Sequence, residues 1–464
     1  MNQSCKTDDS QLLGTQGLGQ LLWRFAAPCV LAMLVTSLYN VCDQIFIGHS
    51  PLGYLGNAAT SIVFPLTMVA MAFSLCFGDG AAAYLSLSLG KGDTKDIHRS
   101  IGNSLLAVFV ISLLILALCL SCTDPLLRLF GATDESLSLA RAYFFIIVGG
   151  FPIFMLGSSL GQIIRADGAP KVAMAAMLTG AITNIILDPI FIFPWGLNLG
   201  IQGAAWATII GQVATLAISV WYLRCSQSFH LQAKSFKPDV KVLMATFQLG
   251  ISSLISQLAI VVISIVTNVV LARYGVESVY GVDIPIAVLG IVMKVFTIVL
   301  SIAIGISIGA QPIFGYNYGA GNYARVRRLY AIVIACMLVV GVIGTLIFEL
   351  APDLVISVFG GDQPEYLEFA RQTFRIFLAL VSATCLIRAT AITFQAVGKP
   401  IPATVLSLAR DIVIFIPLAL ILPRFWGING LLWAAPIADG LGLILTVIMA
   451  VPLWRELEQK EKEK

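Results

Sequence analysis

Two aspartates, Asp43 and Asp188, and two asparagines, Asn40 and Asn184, are the residues of this sequence best placed to do chemistry, because all four fall inside long apolar runs. A charged side chain at the centre of a membrane helix costs about 2.5–3.5 kcal/mol on insertion scales, so a retained one is expected to have a partner or a task. Asn40 precedes Asp43 by three residues and Asn184 precedes Asp188 by four, which puts each amide on the helical face of its carboxylate. Pro189 lacks an N–H, so the carbonyl of Ile185 loses its helical partner and becomes a further oxygen donor. Thr208 can add a hydroxyl. An oxygen-only donor set suits a hard ion such as Na+. Alternatively, two close carboxylates in a low dielectric can hold a proton between them near neutral pH. Either aspartate alone could serve as a cap or a structural pair; two at matched depth, each with an amide on its face, favour an ion site.

The elements that must position these groups are set by composition. Hydrophobic residues make up 58% of the chain and charged residues 11%, and mean hydropathy is +0.92. A soluble domain carries about 25% charged residues, so a single large soluble core is excluded. Twelve apolar runs are each long enough to cross about 30 Å of hydrocarbon. They cover approximately 21–47, 56–88, 100–122, 137–164, 172–195, 201–223, 243–273, 284–316, 327–350, 367–395, 401–422 and 428–453. The alternation of a membrane β-barrel is absent, so the runs read as helices. Residues 1–20 are polar and carry no signal-peptide h-region, so the first span is expected to direct its own insertion. The nine cysteines are scattered, without metal or disulfide spacing, and read as small packing residues.

The second half repeats the punctuation of the first at an offset of about 229, drifting by two or three residues. Gly80 is answered by Gly309, Gly90-Lys91-Gly92-Asp93 by Gly319-Ala320-Gly321-Asn322, and Gly168-Ala169-Pro170 by Gly398-Lys399-Pro400. Gly200-Ile201-Gln202-Gly203 returns as Gly427-Ile428-Asn429-Gly430. One six-span module has been duplicated. The expected fold class is an all-α integral membrane protein with twelve transmembrane helices in two pseudo-symmetric six-helix bundles. Six is even, so the bundles share one orientation and are related by an axis along the membrane normal.

Orientation follows from Lys and Arg. With a cytoplasmic N-terminus the inner segments hold Lys6, Arg24, Lys91, Lys95, Arg99, Arg165, Lys171, Lys234, Lys237, Lys241, Arg325, Arg327, Arg328 and Lys399, while outer loops are often acidic, as at Asp353, Asp362 and Glu365. The positive-inside rule then puts both termini in the cytoplasm. These loops read as topology signals on a solvated face, with no nucleic-acid partner implied. The expected organisation is a cytoplasmic segment 1–20, a first lobe 21–224 (spans 1–6), an inter-lobe loop 225–241, a second lobe 242–454 (spans 7–12) and a charged tail 455–464. In this frame Asp43 and Asp188 both lie in the outer half of the first bundle.

Other intramembrane polar groups are Asp79, Gln257, Lys294, Arg388, Arg410, Asp411 and Asp439. They read as substrate-cavity groups or structural charges. Arg410-Asp411 sits near the repeat position of Thr183-Asn184 and reads as an internal ion pair. Lys294 and Arg388 are expected either to pair with Asp439 or to face a water-filled cavity.

The run Gly309-Ala310-Gln311-Pro312-Ile313-Phe314-Gly315-Tyr316-Asn317-Tyr318-Gly319-Ala320 resembles the span-8 signature of multidrug and toxic compound extrusion (MATE) transporters, in particular their bacterial drug-exporter branch. Asn184-Ile185-Ile186-Leu187-Asp188-Pro189, followed by Gly200 and Gly203-Ala204-Ala205, is similar to that family's span-5 and span-6 pattern. The resemblance covers nearly the whole chain. It implies a multi-pass protein of the bacterial inner membrane that exports organic cations and drugs by alternating access, in exchange for inward Na+ or H+. It carries the coupling role, or a Na+ ligand role, onto Asp43, Asn184 and Asp188, with Thr208 beside them. It implies no cofactor other than the coupling ion, and contact only with small molecules and membrane lipids. Duplicated bundles of this kind can work as monomers, and a functional monomer is expected. Another branch uses acidic residues in spans 7 and 10; here those spans offer Gln257 and Arg388, which argues against an acidic cation site in the second lobe. Pro28, Pro65 and Pro152 are the expected flex points.

A lipid-linked sugar flippase of the same superfamily, a Na+-coupled importer and a membrane-embedded enzyme are the alternatives. The enzyme reading is weakest, because His49, His98 and His230 lie in loops or at span ends and no HExxH or Ser-His constellation occurs.

Overall fold

The computed structural model describes residues 13–50, 53–93, 96–130, 132, 134, 136–226, 228–276, 278, 280, 283–359 and 364–463. Lys6, Lys95, Asp362 and the side chain of Asn40 lie outside the described residues. The described chain is built from helices, the form in which apolar segments satisfy their own backbone groups without water. Ten helices are long and apolar enough to span a membrane, and two bent pairs bring the number to twelve. Spans 1–3 are Leu18–His49, Gly53–Lys91 and Ile97–Ser121. Span 4 joins Leu137–Gly149 to Phe151–Ala166, and spans 5 and 6 are Pro170–Ile192 and Ile201–Leu223. Spans 7–9 are Val240–Gly275, Asp283–Gly319 and Tyr323–Leu350. Span 10 joins Pro364–Phe377 to Val381–Ala396, span 11 covers Pro400–Trp426, and span 12 is Ile428–Lys462. Large apolar side chains such as Leu114, Ile186, Val269 and Ile448 stand outward on these helices, as lipid-facing residues do.

The repeat is written into the backbone. Gly92 and Gly321 have φ of 74° and 73°, Gly168 and Gly398 of 90° and 76°, and Gly200 and Gly427 of 55° and 56°. These are left-handed conformations that glycine adopts without Cβ strain, so the duplicated glycines set matching inter-span turns. Spans 4 and 10 bend at matching places, by 51° at Gly150 and by 44° between Phe377 and Val381. Pro152 therefore does not flex the middle of a helix; it opens the second segment of span 4, where its missing N–H costs nothing.

The bundles keep separate cores but press together at the end that carries the start of span 1. Gly80 and Gly250 leave no room for a Cβ between spans 2 and 7, nor do Gly305 and Gly309 between spans 8 and 1, or Gly90 and Gly319 between spans 2 and 8. At this same end Leu21, Leu22 and Phe25 of span 1 join the core of the second bundle. Ser37 and Ser301 hydrogen-bond at 2.7 Å between spans 1 and 8, and Ser253 of span 7 donates to Asp79 of span 2 at 2.7 Å. Residues 228–241 lead across to the second bundle at this end. Asn103 of span 3 straps them down, donating to the carbonyl of Lys237 at 3.1 Å and accepting from the amide of Asp239 at 2.8 Å. Span 12 runs on as a charged helix in which Glu456 pairs with Lys399 and with Lys460, and Arg327 reaches Glu461 at 3.1 Å.

Candidate functional site

Span 5 holds Asn184 and Asp188 on one face, four residues apart, and that face is turned into the first bundle. Asp188 is 0% exposed and Asn184 3%. Asn184 Nδ2 donates to Asp188 Oδ1 at 3.2 Å and to Thr208 Oγ1 at 3.4 Å. Thr208 in turn donates to the carbonyl of Ala204 at 3.0 Å. The threonine therefore orients the amide rather than facing the carboxylate directly. Across from span 5, Asp43 brings its carboxyl to within hydrogen-bonding reach of Asp188. Sequence spacing alone placed these two groups at one depth; the fold places them side by side.

Three buried oxygens of this group, Asp43 Oδ1, Asn184 Oδ1 and Asp188 Oδ2, receive no hydrogen bond from the chain. Buried polar atoms are nearly always satisfied, so three orphaned acceptors in one place mark a functional demand. All three accept, and none can donate. A proton between the carboxyls or a hard cation among the oxygens is the species that completes such a set.

Two neighbours escape a reading of the sequence. Tyr39 and Tyr143 lie within electrostatic reach of both carboxyls. Tyr39 stands one helical turn before Asp43, a spacing that could have singled it out. Tyr143 comes from span 4, and no local pattern links it to the pair.

Tyr39, Asn184 and Thr208 close one end of a cavity of about 160 Å³ inside the first bundle. Met33, Met71 and Met177 stand in its apolar wall, and Gln162, Gln212 and Arg165 line it as well. Arg165 corrects the expectation of a solvated loop residue. It is 4% exposed, its Nη1 reaches the sulfur of Met177 at 3.7 Å, and its Nε has no acceptor.

The second bundle is arranged otherwise. Arg388 donates to Asp411 at 2.8 Å, Arg410 donates to Asp411 at 2.9 Å, and Arg410 also reaches Asp439 at 2.7 Å. The Arg410-Asp411 ion pair thus forms within a four-membered network. The expectation for Asp439 is corrected: its partner is Arg410, because span 12 turns Asp439 toward span 11. Lys294 is exposed on span 8. Around Arg410 the helix of span 11 loosens into a π-turn over Ala409–Ile414, a feature common at functional positions. Gln257 of span 7 faces the other bundle, its Nε2 4.0 Å from the sulfur of Met68.

Comparison with known proteins agrees with this architecture. A family model described as MatE matches residues 28–190 and 252–421. The multidrug export protein MepA of Staphylococcus haemolyticus (strain JCSC1435) is 28% identical over 441 residues, 94% of each chain. MepA of Staphylococcus aureus (strain NCTC 8325 / PS 47) is 28% identical over 440 residues, again 94% of each. Among solved structures, the outward-facing conformation of a multidrug resistance MATE family transporter of the MOP superfamily has a TM-score of 0.89 at 23% identity, covering 98% of this chain and 99% of that one. A MATE crystallised in complex with MaD3S gives 0.87 at 23% identity, with the same coverage.

Proposed function

Given that this chain belongs to the MatE family, we propose that it is a multidrug efflux transporter, moving amphipathic organic cations and drugs out of the cell in exchange for Na+ or H+. The observation that carries the coupling half of this reading is the Asp43–Asp188 pair, which together with Asn184 presents three donorless oxygens. Entry of the ion there neutralises a pair of carboxyls that otherwise repel one another at close range. The drug half is supported by the multidrug export relatives and by the methionine-rich, partly aromatic cavity wall beside the pair. Unbranched thioether side chains re-pack around ligands of different shape.

With both termini in the cytoplasm, the end at which the bundles press together faces inward, and the path between them opens outward. In this orientation Ser253, Asp79 and the glycines of spans 2, 7 and 8 form the inner seal. Drug loading requires the seal to part; ion binding at Asp43 and Asp188 favours the state in which drug leaves. A ligand can shift such a balance only by its differential affinity for the two states, so the ion must bind one of them more tightly.

The test is drug-dye efflux, for example of ethidium, from vesicles under an imposed Na+ gradient and under an imposed pH gradient. One of the two is expected to drive efflux in the parent protein and to drive it much less well in Asp43→Asn and Asp188→Asn. Gradient-driven efflux that persists unchanged in both variants would refute the coupling role.

A further inference from the structure

The two bundles contain corresponding cavities, and in the second one arginines occupy the space. Gly168 and Gly398 mark the same turn 230 positions apart, and each of the eight residues lining a small second-bundle cavity stands 230 positions after a residue lining the large first-bundle cavity. Arg388 thus answers Ser158, and Arg410 answers Gly180. This register sets Arg410-Asp411 opposite Gly180-Ala181, three residues from Thr183-Asn184, near which the sequence placed it. The packing agrees. In the first bundle Gly180 lies flush against Thr215. In the second bundle the small residue has changed sides, and Gly442 packs against the stem of Arg410, where an added Cβ would sit 3.1 Å from Cγ. The cavity shrinks from about 160 Å³ to about 10 Å³.

The charges are redistributed with the volume. The first bundle presents two carboxyls and an amide with oxygens that lack donors. The second presents Asp411 and Asp439, 1% and 3% exposed, with Arg410 bridging both and Arg388 completing the balance at two positive and two negative charges.

We propose that Arg410 is the resident cation of the second bundle. Its guanidinium fills, between Asp411 and Asp439, the position that a mobile cation would need, so the coupling ion is drawn through the first bundle alone. The part concerning coupling rests on the function proposed above; the tethered-cation role of Arg410 does not. Without Arg410, Asp439 loses its counter-charge and the space opens, so the site should accept a free cation of matching shape.

The test is chemical rescue, made in an Asp43→Asn, Asp188→Asn background so that the first-bundle site contributes nothing. In that background Arg410→Ala is expected to lower the melting temperature of the purified protein in detergent. Millimolar guanidinium or methylguanidinium should restore much of the loss, while choline does not and the parent is unaffected. Adding Asp439→Asn to Arg410→Ala removes the charge that calls for a cation, and should restore stability and abolish the guanidinium response. If Arg410→Ala alone does not fold, recovery of folded protein in the Arg410→Ala, Asp439→Asn variant supports the same conclusion. The proposal is overturned if guanidinium acts no better on Arg410→Ala than on the parent, or if the double variant recovers nothing.

Discussion

The carboxyl of Asp188, fully buried on span 5, meets that of Asp43 on span 1, and the amide of Asn184 donates to Asp188 Oδ1 at 3.2 Å. Two carboxylates cannot both stay ionised at such range in a dry site without a proton or a cation between them. Each substitution Asp43→Asn or Asp188→Asn removes one of the two charges that the ion must satisfy. A coupling free energy of about 1–3 kcal/mol corresponds to roughly 5–150-fold. Gradient-driven efflux is therefore expected to fall by a factor in that range in each single variant. Measured drug binding in the absence of a gradient should change much less, which separates loss of coupling from loss of the substrate site.

Tyr39 stands one turn from Asp43 and also lines the cavity. Its phenol is a polar neighbour for the proposed ion site at its boundary with the cavity. Tyr39→Phe keeps the ring and removes the hydroxyl, a change worth about 0.5–1.5 kcal/mol for a typical hydrogen-bonding group. The apparent affinity for the driving ion should weaken by roughly two- to tenfold, while maximal efflux at saturating ion stays close to the parent value. An ion titration of efflux rate measures both. An unchanged half-saturation point would place the hydroxyl outside the ion site.

Much of this architecture is legible in the sequence, because a membrane leaves few choices. A long apolar run has to be a helix, and a carboxylate within it has to have a reason, so the spans and the shared depth of Asp43 and Asp188 are legible, while the meeting of their carboxyls comes from the fold. What stays hidden depends on rotation and partner choice. Tyr143 reaches the pair from span 4, and no periodicity in its own helix says so. Arg165 sits at a span end, where basic residues usually face water, yet its helix turns it inward against Met177. The sequence offered Asp439 two partners on other spans, Lys294 and Arg388, and the relative rotation of spans 11 and 12 selects Arg410 instead. The register of spans 5 and 11 is similarly concealed, since Gly180 and Arg410 share no chemistry that an alignment by residue type would find.

The inner seal depends on a backbone approach that only glycine permits. A Cβ on Gly250 would overlap the carbonyl oxygen of Cys76 on span 2, with no flexible side chain there to yield. Overpacking of this kind costs about 1–3 kcal/mol, enough to shift a two-state balance by roughly 5–150-fold. Gly250→Ala should bias the transporter away from the state in which this end is closed. Spin labels on the exposed Lys91 and Lys241 should report a longer mean separation, and efflux should fall in parallel. Gly149→Ala, where an added Cβ meets nothing within 4 Å, is the matched control and should leave both measurements unchanged.

Asn317 of span 8 gives the Gly315-Tyr316-Asn317-Tyr318-Gly319 run a structural meaning. It is 0% exposed, and its Nδ2 donates to the carbonyls of Leu13 and Ile313, each at 2.9 Å. Its Oδ1 accepts from Arg325 Nε at 3.1 Å, and Arg325 Nη2 reaches the carbonyl of Gln16 at 2.6 Å. One amide thus ties the segment before span 1 to the second bundle. Asn317→Ala leaves the Leu13 carbonyl with only the longer 3.4 Å bond from Arg325 Nη2 and takes the acceptor from Arg325 Nε, at a cost of about 1–3 kcal/mol. The melting temperature in detergent should drop, and amide exchange should quicken over residues 13–20. Asn317→Asp keeps an acceptor for Arg325 while losing the donor to Leu13, so it should fall between Asn317→Ala and the parent. Equal exchange rates in all three proteins would mean that the segment is held by its apolar contacts at Leu13 and Leu21 instead.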